Sequence, residues 1–103
     1  MIPRTDEMPA QRPIHPGEIL LEEFLRPMSI SQTEAAGKMN MPLNRLNELA
    51  NGRRSVTADT ALRLAKLLGT TPRLWLNMQA EVDLYDAWRK QGRREEATSS
   101  AIV

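Results

Sequence analysis

Backbone punctuation constrains this sequence more than any other feature. Pro27, Asn40, Pro42, Gly52, Gly69 and Pro72 cut its central part into short segments, and between them apolar residues recur at helical spacing. A proline drives the residue before it out of the helical region and removes a backbone donor. Glycine, and to a lesser degree asparagine, accepts the left-handed angles that close a helix. No segment alternates with period two and β-branched residues are few, so strands are not expected. The first helix is predicted over about Gly17 to Arg26, with Leu21, Phe24, Leu25 and Met28 as its buried face and Pro27 as its stop. Ser31-Gln32-Thr33-Glu34 reads as a capping box, in which the Ser hydroxyl accepts from the third backbone NH and Glu34 reaches back to the cap. The second helix starts at Gln32 and leaves through a tight turn over Met39 to Met41, with Asn40 at its left-handed position.

Pro42 suits the first position of a third helix, which carries Leu43, Leu46 and Leu49 and ends at Asn51 with Gly52 beyond it. Thr57 caps a fourth helix whose stripe is Ala61, Leu64, Ala65 and Leu68, closed by Gly69. Thr71 and Pro72 open a long fifth helix reaching about Lys90. The expected architecture is all-α, a compact five-helix domain with a long C-terminal helix. It occupies residues 14–91, between flexible arms at 1–13 and 92–103.

Composition narrows the function classes. A chain of 103 residues has room for one compact domain, and 41% hydrophobic with 26% charged residues is an ordinary globular balance. The absence of Cys excludes a disulfide framework, a thiolate zinc site and a Cys nucleophile. His15 is the single histidine, alone and next to a proline, and there is no Gly-rich phosphate loop. No enzyme, metal site or cofactor is therefore expected, and His15 is read as structural. The apolar runs fall far short of the roughly 20 residues a membrane helix needs, which gives the expectation of a cytoplasmic chain without membrane contact.

The net charge of +1 hides an uneven distribution. Residues 1–37 hold three Arg against six acidic residues, and residues 74–103 hold four basic against five acidic. Between them Lys38, Arg45, Arg53, Arg54, Arg63, Lys66 and Arg73 face only Glu48 and Asp59, a balance of +5. A locally basic segment suits a polyanion, because neutralising phosphates releases counterions. A solvated basic surface is the alternative, and position must decide between them.

Two short helices joined by a tight turn, the second followed by arginines, have the layout of a helix-turn-helix. Gln32, Ala36, Met41, Leu46, Leu49 and Gly52 fall at its constrained positions: the helix-start Gln, the small residue, the buried turn hydrophobe, the two inward residues and the closing glycine. In this the sequence resembles the phage-repressor type of that unit. It departs at Ala35, where a larger aliphatic residue is usual, and at Asn40, where glycine is usual. The blocks His15-Pro16-Gly17-Glu18-Ile19-Leu20, Glu22-Glu23-Phe24-Leu25, Ser31-Gln32, Asn51-Gly52-Arg53-Arg54-Ser55-Val56-Thr57 and Trp75-Leu76-Asn77-Met78-Gln79 extend the likeness. They are similar to the HigA-type antitoxins of bacterial toxin–antitoxin modules. That resemblance implies a dimeric repressor that binds the operator in its own promoter and neutralises a cognate small toxin, a ribosome-dependent ribonuclease of the RelE-like fold.

With Leu46 and Leu49 inward, the outer face of the third helix falls to Leu43, Asn44, Arg45, Asn47 and Glu48. Arg45 is the leading base reader, since its fork matches the N7 and O6 of guanine. Asn44 suits adenine, Leu43 a thymine methyl and Glu48 a cytosine amino group. Gln32 and Thr33 at the start of the second helix, with Arg53 and Arg54 in the loop, are read as backbone contacts that fix register. The alternative for each arginine is an ordinary solvated or dipole-complementing position. In the fifth helix Trp75, Met78, Val82 and Tyr85 form one apolar stripe, and Leu76, Ala80, Leu84 and Trp88 form another. A surface helix needs only one, so Leu84, Tyr85 and Trp88 are candidate homodimer contacts, which would set two recognition helices about 34 Å apart. Glu18, Glu22 and Glu23 make an acidic face suited to a basic toxin. The competing readings are a free-standing transcriptional regulator without a toxin, perhaps of prophage origin, and a toxin-neutralising module without DNA binding.

Overall fold

The computed structural model describes the backbone of residues 9–102 and the side chains of residues 9–92. Among these there are helices and no strands: α1 (Pro16–Ile19) continuing as a π-helical stretch (Leu20–Leu25), α2 (Gln32–Lys38), α3 (Leu43–Ala50), α4 (Ala58–Leu68) and α5 (Pro72–Ile102). The chain divides into two units, Ile14–Gln79 and a second one whose described part is residues 9–13 and 80–102. The division falls inside α5. Residues 1–8 of the expected N-terminal arm, and residue 103, lie outside the described residues.

In the first unit, helix starts follow local chemistry. The N–H of Glu34 donates to Ser31 Oγ (3.0 Å), that of Thr60 to Thr57 Oγ1 (3.3 Å), and that of Leu74 to Thr71 Oγ1 (3.2 Å). The box at Ser31 is only half formed, because Glu34 turns its carboxylate to Lys38 one turn later (3.2 Å) instead of reaching back. His15 is structural, as expected: it caps α1, its Nδ1 accepting from the Gly17 N–H at 2.9 Å. Pro42 stands one position earlier than expected, as the N-cap of α3, with extended backbone (ψ 142) and its carbonyl accepting from the Leu46 N–H.

The first helix departs most from the sequence reading. Over Leu20–Leu25 its ladder widens from four positions to five, the Arg26 N–H donating to Leu21 O at 3.0 Å; Met28 bonds over four again, to Phe24 O at 3.0 Å, and the end closes with the Ser29 N–H on Arg26 O and the Ile30 N–H on Leu25 O. That wider turn changes which residues share a face. Leu20 and Leu25, five apart, are 0% and 1% exposed, whereas Met28, expected inside, is 48% exposed. Pro27 has no N–H to continue the ladder, and the chain leaves through Ser29 at φ 55. The core gathers Leu20, Leu25, Ala35, Ala36, Met39, Met41, Leu46, Leu49, Val56, Ala61, Leu64 and Trp75. Phe24 packs obliquely on Trp75, ring centroids 5.4 Å apart. Buried Gln79 fastens α5 to the loop before α4 by accepting from the Val56 N–H at 2.8 Å.

α5 passes the end expected near Lys90 and runs to Ile102, through residues read from sequence as a tail. Arg93, Arg94, Glu95, Glu96 and Ala97 are good helix formers, set against Gly92, which costs about 1 kcal/mol, and the weaker formers Thr98, Ser99 and Ser100. In the second unit Arg12 grips Asp86 with two hydrogen bonds, Nε to Oδ1 and Nη2 to Oδ2, both 2.9 Å. The hydrogen bond to Asp86 raises the Arg12 pKa above its ordinary value. No helix among the described residues is long and apolar enough to cross a membrane.

Candidate nucleic-acid interface

α2, the turn and α3 form the unit that the spacing anticipated. Ala35 and Ala36 are buried on α2, and Met41 is buried in the turn. Asn40 takes the left-handed angle (φ 53) that the turn requires. α3 closes in a Schellman arrangement: the Gly52 N–H donates to Leu49 O at 3.0 Å, the Arg53 N–H to Glu48 O at 2.8 Å, and Gly52 has φ 74. This fixes where the arginine loop leaves the helix. Gly17 of α1 lies so close to the far side of α3 that a Cβ there would overlap the Leu49 carbonyl oxygen.

α3 buries Leu46, Leu49 and Ala50, and at about 100° per residue the direction opposite to them falls on Asn44, flanked by Glu48 and Asn47. Asn44 and Leu43 are exposed, Leu43 at 40%, and Asn47 and Glu48 are half-buried. Thr33 is exposed at the start of α2. Gln32 beside it is half-buried, its Oε1 enclosed with no hydrogen-bond partner among the described residues. Arg53 is exposed and makes no ion pair with the described residues. Arg54 folds back on Glu48, Nη2 to Oε2 at 3.0 Å.

Arg45 stands apart from this face. It grows from the flank of α3 toward α4, where its Nη2 donates to Thr60 Oγ1 at 3.2 Å and lies 3.8 Å from Asp59 Oδ2. Asn44 is thus exposed on the outer face, while the Arg45 fork is turned to α4. Much of the local positive charge is also internally matched. Lys38 pairs with Glu34, Arg45 and Arg63 with Asp59, and Arg54 with Glu48. The count of +5 already set Glu48 and Asp59 against the cations, and of these pairs only Lys38 with Glu34 lowers it further.

Arg63, Thr60 and Asp59 were not anticipated as parts of the unit. Arg63 donates through Nη1 to the carbonyls of Met39 (2.7 Å) and Asn40 (3.2 Å), which hold the turn, and through Nε to Asp59 (2.9 Å). The i,i+4 spacing of Asp59 and Arg63 was readable as a surface pair, but their carbonyl targets come only from the tertiary fold.

The other candidates lie elsewhere. Glu18, Glu22 and Glu23 are exposed along the first helix, with Glu22 3.4 Å from Arg26. In the second unit Leu84 is 47% exposed, while the half-buried rings of Tyr85 and Trp88 stack obliquely 5.9 Å apart. Trp75 in the first unit is 0% exposed, and Val82 in the second is 1% exposed. No cluster of metal-ligating side chains occurs among the described residues.

A helix-turn-helix family profile matches residues 21–75. The antitoxin HigA-1 of Vibrio cholerae is 45% identical over 76 residues, covering 74% of this chain and 71% of that protein. Among solved structures, an addiction module antidote protein of the HigA family from Coxiella burnetii is 49% identical with a TM-score of 0.75, over 84% of this chain and 95% of that one. The Pseudomonas aeruginosa antitoxin HigA, solved with the higBA promoter, is 36% identical with a TM-score of 0.78, over 84% of this chain and 94% of that one.

Proposed function

Because the chain belongs to the HigA-type antitoxin family of helix-turn-helix proteins, we propose that it is an antitoxin and DNA-binding autorepressor. It recognises the operator in its own promoter and neutralises a RelE-like ribonuclease of the HigB type. The observation that carries the DNA half is the outer face of α3. Leu43, Asn44 and Asn47 present apolar and amide groups, without charged partners, on a helix whose other side is buried. That face suits the major groove, where an amide pairs with adenine and an apolar side chain meets a thymine methyl. Gln32, Thr33, Arg53 and Arg54 hold phosphates and set register. Glu48 reads cytosine only after Arg54 has left it for a phosphate.

Operator recognition by this kind of unit is dimeric, and the partner is a second copy meeting the first through Leu84, Tyr85 and Trp88. The toxin is basic, as an RNA-cleaving protein is, and docks on Glu18, Glu22 and Glu23. The protein works in the cytoplasm, where both partners are.

Both halves are tested by expressing the chain with a HigB-type toxin while a reporter is driven by the chain's own promoter. Relief of growth arrest together with repression supports the proposal. Repression without relief makes the protein a free-standing regulator, and relief without repression makes it a neutralising module only. Reversing Glu22 and Glu23 to Lys weakens the toxin complex by about tenfold and leaves operator affinity unchanged, because like charges then face one another. Unchanged toxin affinity removes that face from the account.

A further inference from the structure

We infer that Arg45 positions α3 and does not read a base, and that Asp59, Thr60 and Arg63 of α4 are the parts that hold it; this deepens, and rests on, the operator-binding reading. The residue types invite the opposite view, since an arginine on such a helix matches guanine well. Its surroundings decide against it. An arginine waiting for a base stands in solvent, but the Arg45 side chain is only 33% exposed and its Nε is enclosed without a partner among the described residues. Its Nη2 is held by the Thr60 hydroxyl, and Thr60 itself is 3% exposed and 3.2 Å from Thr57 Oγ1, the cap of α4. The guanidinium is docked on the first turn of α4.

The same Asp59 oxygen lies 3.8 Å from Arg45 and 2.9 Å from Arg63. Arg63 in turn holds the Met39 and Asn40 carbonyls at 2.7 and 3.2 Å. One carboxylate therefore joins the cation that fastens the turn before α3 to the cation that grows from α3 itself. Two points on either side of the start of α3 are tied to one turn of α4, which fixes the angle at which α3 is presented. Hydrogen bonds to charged groups are the stronger kind, and the Arg63 bonds to the turn carbonyls are of that kind. Arg45 thereby sets the posture of α3, and Asn44 is left to meet the bases.

The test uses the full chain with Arg45→Met, which keeps the apolar stem and removes the guanidinium, Asp59→Asn, and the double variant. Urea unfolding of the free protein reads whether the clamp exists, and affinities for operators substituted one base pair at a time read what it does. The two substitutions are expected to be non-additive by about threefold or more in the unfolding equilibrium. Arg45→Met is expected to lower affinity by a common factor on every operator, leaving the order of base preference intact. Additive unfolding effects overturn the clamp. Loss of about tenfold or more of discrimination confined to one base pair overturns it too, because that is the signature of a base reader. If Arg45→Met does not fold, Thr60→Val removes the accepting hydroxyl at nearly constant volume and the same two readouts apply. If the wild-type protein fails to distinguish operator from scrambled DNA, the operator reading is what fails, and the unfolding cycle alone decides the clamp.

Discussion

The first helix and α3 meet at Gly17 and Leu49, yet they relate to their own sequences in opposite ways. In α3 the apolar positions at ordinary helical spacing are the buried ones, Leu46 and Leu49 foremost. In the first helix the same rule selects Met28, which is exposed, and passes over Leu20, which is fully buried. The difference lies in the hydrogen-bond ladder: once it widens to five residues, Leu20 and Leu25 become neighbours on one face. Apolar spacing reports a face only when the period of the ladder is known.

Two pairs of substitutions and one single change sharpen this contrast. Leu25→Ala is expected to lose about 3 kcal/mol in urea unfolding, since it leaves a cavity in the core, while Met28→Ala stays within about 0.5 kcal/mol. Equal losses would mean that the first helix keeps the ordinary phase in solution. Gly17→Ala comes next, at about 2 kcal/mol, because backbone must move to admit the methyl. Its counterpart Gly37→Ala, in the last turn of α2 with nothing within 4 Å of an added Cβ, is expected to stabilise the protein. The gain is about 0.5 to 1 kcal/mol from helix propensity and reduced unfolded-state freedom, and a loss there would reveal a neighbour the geometry lacks. The smallest effect belongs to the loop. Arg53→Ala leaves stability unchanged and lowers the slope of log affinity against log salt by about 0.9, the share of a single neutralised phosphate. An unchanged slope would take Arg53 off the DNA.

Much of this fold was legible because its signals are local. Ser31, Thr57 and Thr71 each cap a backbone N–H three residues away, and Asn40, Gly52 and Gly69 take the left-handed angles their residue types favour. The reading weakened wherever a side chain spent its polarity on a distant element. Nothing around Arg45 says that its target is Thr60 on another helix, or that Gln79 reaches back to Val56 across 23 positions. Charge counting located the basic segment but not its pairing: Glu34, from outside the counted stretch, takes up Lys38, while Asp59 is shared by Arg45 and Arg63. On α3 the exposure of Leu43 and Asn44 was legible, and the bond from Arg45 to Thr60 was not.

The central claim is that the outer face of α3 reads an operator. Fluorescence anisotropy of the protein on its own upstream promoter and on scrambled DNA, over a series of salt concentrations, tests it most directly, with Asn44→Ala as the control. The account predicts tight binding to the promoter, saturating at one dimer per pseudo-palindrome, and a loss of about 1 to 3 kcal/mol in Asn44→Ala without loss of fold. Equal affinity for both DNAs, insensitive to Asn44→Ala and abolished by salt, would contradict it and leave only a generic basic surface.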